Sequence, residues 1–206
     1  MNYSKLAFTE QIKNLQLLNG SRELYSNVEE SGNTDGLSEK ETEFIEDLDG
    51  FYVSSIGENG FPYIQFRGGS KGFFKILSPD TLGFLDFRGN KQYISVGNLV
   101  TNNKVALFMM NYKEKTRLRI YAETEVFSLK DHPELTKKLS IGDYKAKPER
   151  AFIFKVLAFE WSCPQHITPK FTAEEIQAIF APQEAHIKKL EKEIEDLKLQ
   201  LKSASR

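Results

Sequence analysis

The stretch FYVSSIGENGFPYIQF, residues 51–66, decides how the rest of the chain is read. Two runs rich in β-branched and aromatic residues flank Gly57-Glu58-Asn59-Gly60. An Asn-Gly pair between such runs is a strong hairpin signal, because both residues tolerate positive φ. The same texture continues through FFKIL (73–77), a SPDT turn (78–81), LGFLDF (82–87), VALFMM (105–110), RLRIYAETEVF (117–127) and AFIFKVLAFEW (151–161). Roughly six or seven strands in about 110 residues, with short connections, predict a small antiparallel barrel or sandwich rather than a doubly wound sheet.

Outward from this β-rich middle the chain reads as helical. Toward the N-terminus one apolar-periodic segment runs from about Thr9 to Leu18. A second starts at Ser38, where SEKE places Ser and Glu three apart in a capping box, and continues through Phe44, Ile45 and Leu48 to Gly50. EESGNTDGL (29–37) between them reads as a loop, and HPELTKKL (132–139) as a short helix. After Trp161 a Pro-punctuated segment, SCPQHITPKF, leads to TAEE (172–175), a further capping box. Beyond it Phe180, Ile187, Leu190, Ile194, Leu197 and Leu201 follow a seven-residue repeat. Ile at a positions with Leu at d positions favours two parallel helices, so a helix pairing across a dimer is expected; the other reading packs this amphipathic helix on its own barrel. The organisation is thus residues 1–50 as a helical segment packing on the barrel, 51–162 as the barrel, and 163–206 as loop and heptad helix.

Composition sets outer limits. With 40% hydrophobic, 12% aromatic and 28% charged residues the chain reads as an ordinary soluble protein. Its 28 basic and 29 acidic residues nearly cancel, which argues against bulk attraction to nucleic acid or anionic lipid. A lone cysteine, Cys163, leaves no intrachain disulfide and no cysteine cluster for zinc, and no metal site is expected. MNYSKLAFTEQIKNL lacks the apolar core of a signal peptide, and no apolar run approaches the roughly 20 residues of a membrane span. A cytoplasmic location is expected.

The chemistry-bearing residues cluster in four places. In DFRGNKQYISVGN (86–98), Gly89 permits a tight turn, Arg88 and Lys91 supply charge, Asn90 can cap and donate, and the helix that follows would point free N–H groups at an anion. A phosphomonoester would suit this turn; a solvated basic hairpin end is the alternative. QFRGGSKGFFK (65–75) is not a P-loop, since no hydroxyl residue follows its lysine in the required place. Its Gly68 and Gly69 let backbone approach a planar ligand, with Arg67, Lys71 and Lys75 as donors, or else form a bulge that re-aims the strand. Trp161, Gln165 and His166 fit a wall and hydrogen-bond donors around a flat heteroaromatic ring, or a loop anchored by a buried Trp. Cys163 has only His166 as a candidate activating partner. Arg117 and Arg119, two apart on one strand face, are either solvated or partly turned to a ligand.

FPYIQFRGGSKGFFKIL, TLGFLDFRGNKQYISVGNL, VALFMMNY and CPQHITPKFT, in this order, resemble the pyridoxamine 5'-phosphate oxidase-like family of FMN-binding split-barrel proteins, in a branch carrying RGG, DFRGN-QYIS-GN and CPQHI. The resemblance implies a mainly β (α+β) fold, an antiparallel split β-barrel, assembled as a homodimer with FMN at the subunit interface. It assigns phosphate binding to Arg88, Asn90, Lys91 and Gln92, and flavin contacts to Lys75 and Arg117, where Arg replaces the usual Gln. Gln65, Arg67, Gly68, Asp86, Trp161, Gln165 and His166 complete the candidate cofactor set. Leu85 and Asp86 stand where the oxidases have Tyr and Thr, and the C-terminal Arg/His motif that holds the vitamin phosphate is missing. The expectation is therefore an FMN-dependent oxidoreductase that is not a pyridoxamine phosphate oxidase, or a non-catalytic flavin- or haem-binding protein of the same fold.

Overall fold

A computed structural model describes residues 1–32, 34–142 and 144–204. Asn33 in the expected loop and residues 205–206 of the heptad segment lie outside the described residues. In chain order the elements are α1 (Tyr3–Ala7), α2 (Glu10–Leu18), α3 (Arg22–Ser31), α4 (Glu39–Glu46), β1 (Gly50–Ile56), β2 (Pro62–Gly68), β3 (Lys75–Ser78), β4 (Thr81–Phe87), α5 (Ile94–Thr101), β5 (Lys104–Asn111), β6 (Thr116–Ser128), α6 (Pro133–Leu139), β7 (Pro148–Ser162) and α7 (Ala173–Ala204).

The strands form one sheet in the order β2-β1-β5-β6-β7-β4-β3, antiparallel at every pairing. The expected hairpin joins β1 to β2. Its turn differs in detail: positive φ falls on Gly60 alone, while Asn59 contributes its side chain, whose Oδ1 accepts the Phe61 N–H at 3.1 Å. The main core holds Phe51 of β1, Phe73 and Phe74 of the loop before β3, Phe84 of β4, and Phe152 and Phe154 of β7. Phe51 stacks on Phe74 at 4.5 Å between ring centroids, and Phe84 stacks on Phe152 at 5.3 Å. Burying each such ring contributes about 2–3 kcal/mol, so this cluster is a major source of stability. On the other face of β4, Leu85 packs with Leu139 of α6 and Ala151 of β7.

Two helices went unread in the sequence. α1 is only five residues long, too short for periodicity to reveal. α3 extends through Glu29, Glu30 and Ser31, which corrects the loop expected from residue 29. Buried Glu29 pairs with Arg22 of the same helix and, at 3.4 Å, with Lys13 of α2, and the Arg22 guanidinium holds its carboxyl below the usual range. The capping box at α4 forms as expected, with the Ser38 N–H donating to Glu41 at 2.9 Å.

The chain divides into two compact units. Met1–Asn111 and Lys115–Gln165 make the first, which joins the N-terminal helices and the sheet; Tyr112–Glu114 and His166–Arg206 make the second. In the second unit the predicted capping box starts α7, with the Thr172 N–H donating to Glu175 at 2.9 Å and the Glu175 N–H to Thr172 at 3.2 Å. Lys113 pairs with Glu175 at 3.4 Å, and Lys170 sits over the Tyr112 ring. No residue of α7 is buried, and its whole heptad seam is exposed. Among the described residues no helix is long and apolar enough to cross a membrane.

Candidate functional site

β2 turns alternate residues to opposite faces: Tyr63, Gln65 and Arg67 are half-buried, while Ile64 and Phe66 are exposed. The half-buried row meets α5, which side-chain hydrogen bonds hold against β1 and β2. Ser95 Oγ donates to Gln65 at 2.7 Å, and Asn98 Nδ2 donates to Ser55 at 3.0 Å. Between β2, the end of β4, the turn before α5 and the start of β7 lies a small open pocket of about 60 Å³.

The turn differs from the one read in the sequence. Gly89 does not carry the left-handed conformation; Lys91 (φ +63°) and Tyr93 (φ +56°) do. For non-glycine residues this costs of order 1 kcal/mol or more each. Asn90 does not cap the helix but closes the turn locally, its Oδ1 accepting the Gln92 N–H at 3.2 Å. Tyr93 is therefore the N-cap of α5 and offers no side-chain cap. The first N–H groups of the helix point outward without an intrahelical acceptor, the arrangement that favours an anion.

Beneath the turn lies an ionic cluster. Arg67 Nη1 donates to Asp86 at 2.7 Å, Arg150 Nε approaches the other Asp86 oxygen at 3.5 Å, and Arg150 Nη2 pairs with Glu149 at 2.5 Å. Tyr93 hydroxyl donates to Glu149 at 3.1 Å, and the Arg150 guanidinium lies over the Tyr93 ring at 4.9 Å. Burial pushes the Asp86 carboxyl up against the opposing pull of Arg67 and Arg150. Burial likewise lowers Arg67, with Asp86 resisting. Glu149, by contrast, is held low, chiefly by its hydrogen bond from Arg150. Three cations, Arg67, Lys91 and Arg150, face two carboxylates around the pocket, so the lining carries a net positive charge. The Nε of Arg67 is buried and has no partner.

Of the candidate residues, Gln65, Arg67, Asp86, Asn90, Lys91 and Gln92 line this pocket together. Arg88 is exposed beside it, its N–H bound to the Lys147 carbonyl at 3.0 Å and its charge helping to lower Glu149. Gly68 lines an adjoining cleft with Phe66, Phe84 and Asp86. The space above Gly68 and Gly69 is taken by the rings of Phe66 and Phe73, each within 2.7 Å of where a Cβ would stand, so the chain's own aromatics occupy these close approaches. Lys75 lies on edge strand β3 opposite Gly83. Arg117 donates to the Cys163 carbonyl at 2.7 Å, and its Nε is also buried without a partner. Trp161 packs edge-on against Phe44 and donates to Glu41 at 2.6 Å, anchoring α4 to β7. Burial opposes ionisation of Glu41, yet its hydrogen bonds from Ser38 and Trp161 outweigh it and hold the carboxyl low. Gln165 is exposed in the loop after β7. His166, in the second unit, has φ +62°. Tyr63, Tyr93, Ser95, Glu149 and Arg150 are pocket residues that sequence reasoning passed over.

No protein-family model and no curated protein matches the sequence. Solved structures do. HupZ of Group A Streptococcus is 15% identical, covers 66% of this chain and 99% of its own, and superposes with a TM-score of 0.50. An FMN-binding protein from Syntrophomonas wolfei is 17% identical over 71% of this chain and 97% of its own, with a TM-score of 0.47. A protein related to general stress protein 26, of the pyridoxinephosphate oxidase family, from Clostridium acetobutylicum is 18% identical over 66% and 94%, with a TM-score of 0.44. The fold is the one the sequence resemblance implied, an antiparallel split β-barrel with flanking helices.

Proposed function

We propose that this chain is an FMN-binding flavoprotein of the cytoplasm, with the phosphate seated at the Arg88–Gln92 turn and the ring system over Gln65, Arg67 and Asp86. The residues present fit such a ligand. A dianion suits the uncapped start of α5, the Lys91 ammonium and the pocket's excess of positive charge. The observation that carries the reading is the unpartnered Nε of Arg67. A buried donor left without an acceptor costs about 1–3 kcal/mol, and a heteroaromatic carbonyl or ring nitrogen would satisfy it.

FMN when bound would supply hydride or electron transfer, and the leading reading is an oxidoreductase. The chain's own contribution is placement and charge. α5 and Lys91 would hold the phosphate, Asp86 fixes the Arg67 guanidinium, and that fixed cation would favour reduction of a flavin bound in this pocket. The functional unit is a homodimer with FMN at the subunit interface, in which Arg117 and Trp161, absent from this pocket's lining, contact the ligand from the partner chain. An exposed apolar row supports this arrangement: Tyr52 and Ile56 on β1 beside Ile64 and Phe66 on β2, at the edge of the sheet.

The second reading, a carrier or sensor without turnover, is favoured by the pairing of Asp86 and Glu149 with arginines, which leaves neither as a free acid or base. Among the described residues no histidine lines the pocket to ligate a haem. Titration with FMN and with riboflavin tests the phosphate seat: FMN should bind at least about tenfold more tightly, the worth of a good anion contact, and equal affinities would refute it. Anaerobic mixing with NADH or NADPH separates the two readings, since a reductase bleaches the flavin band on a catalytic timescale and a carrier does not.

A further inference from the structure

We infer that α7 pairs with α7 of a second copy as a parallel, in-register two-stranded coiled coil running its full length. The inference is independent of flavin binding. The helix has 32 residues, roughly 48 Å at the usual rise. Continuing the heptad through the whole element places Ala173, Phe180, Ile187, Ile194 and Leu201 at a, and Ile176, Gln183, Leu190, Leu197 and Ala204 at d. Only Gln183 is polar. The large seam side chains stand exposed, from 43% for Leu190 to 67% for Leu201, and no residue of the helix is buried. Such a stripe is unstable in water without a cover. Pro182 falls at c, away from the seam, so the break it makes in the hydrogen-bond ladder leaves the a and d line intact.

Charge decides the occupant and its direction. In a parallel in-register pair each g residue faces the e residue five further along the partner. Glu193 then meets Lys198 and His186 meets Glu191, with no like-charge pair. An antiparallel pair of equal overlap would set Glu184 against Glu191 twice, once at each symmetric crossing. β-Branched Ile at the central a positions with Leu at d points the same way, to two parallel chains.

The test uses the full chain carrying Cys163→Ser, which removes an exposed free thiol, with Leu201→Cys added at a. A glutathione redox buffer should convert most of it to a disulfide-linked dimer, at least about fivefold more than Lys192→Cys at the outward f position. Adding Lys198→Glu should cut the cross-linked fraction, and the double exchange Glu193→Lys/Lys198→Glu should restore it, as the facing charges require. Equal cross-linking at positions 201 and 192 would overturn the pairing. A position-201 cross-link indifferent to both charge variants would overturn the register.

Discussion

The β4–β7 ladder ends in a carboxylate and a cation at both extremities, and the two ends behave oppositely. At one, Asp80 pairs with Lys155 in water, with 34% and 58% of the side chains exposed. Hydrogen bonds from Lys155, Ser78 and Thr81 lower that carboxyl to about 2. At the other, Asp86 faces Arg150 across the strands with 9% and 12% exposed, and burial raises the carboxyl despite two guanidinium neighbours. Between them lie the apolar cross-strand pairs Leu82–Phe154 and Phe84–Phe152. Solvent makes the difference: ions in water cost little to keep charged, whereas desolvation at the Asp86 end must be offset by exact partners. An ionic cluster kept at that cost, beside an open pocket with an unpartnered donor, is the ground for placing the proposed FMN site at this end of the ladder.

The largest expected effect lies between the two ends. Phe154→Ala should lower unfolding stability by about 3–5 kcal/mol through cavity formation, read as a fall in urea midpoint. FMN affinity of the folded fraction should remain. Asp86→Ala should cost about 3 kcal/mol, because it removes the carboxylate that pairs the buried Arg67 guanidinium, and should also abolish FMN binding in a titration. Stability loss without loss of binding would separate the cluster from the site. Lys91→Gly should weaken FMN about tenfold while raising stability by about 0.5–1 kcal/mol, since glycine accepts the positive φ that lysine strains to hold. Affinity and melting temperature would thus move in opposite senses.

Asp80→Asn should have the smallest effect, and pH exposes it. Because folding lowers the Asp80 carboxyl from 3.8 to about 2, its contribution is present above pH 3.8 and lost as pH falls toward 2. The variant should be less stable than the parent at neutral pH, and the difference should shrink from pH 3.8 downward and close only below pH 2 in denaturant titrations. The sign reverses for Asp86: its raised carboxyl contributes most below its ordinary value and loses that contribution as pH rises.

Local chemistry made the strands, the β1–β2 hairpin and both capping boxes legible, because each rests on residues adjacent in sequence. The turn before α5 was legible in composition but not in conformation; nothing local says that Lys91 and Tyr93 rather than Gly89 take positive φ. Arg150 and Glu149 were invisible for another reason. An Arg opening a strand reads as solvated until the register sets it opposite Asp86, 64 positions earlier. The signal was present in LGFLDF, since a carboxylate inside so apolar a strand requires a cation from elsewhere. α3 escaped because its buried Glu29 depends on Lys13 of the preceding helix as well as on Arg22 of its own.

The central claim, that the pocket at the buried end of the ladder holds FMN by its phosphate, is tested most directly by the absorption spectrum of protein incubated with FMN and passed through gel filtration. The account predicts a retained flavin band near the visible blue, released as FMN on denaturation. Protein that emerges colourless after exposure to excess FMN would contradict it.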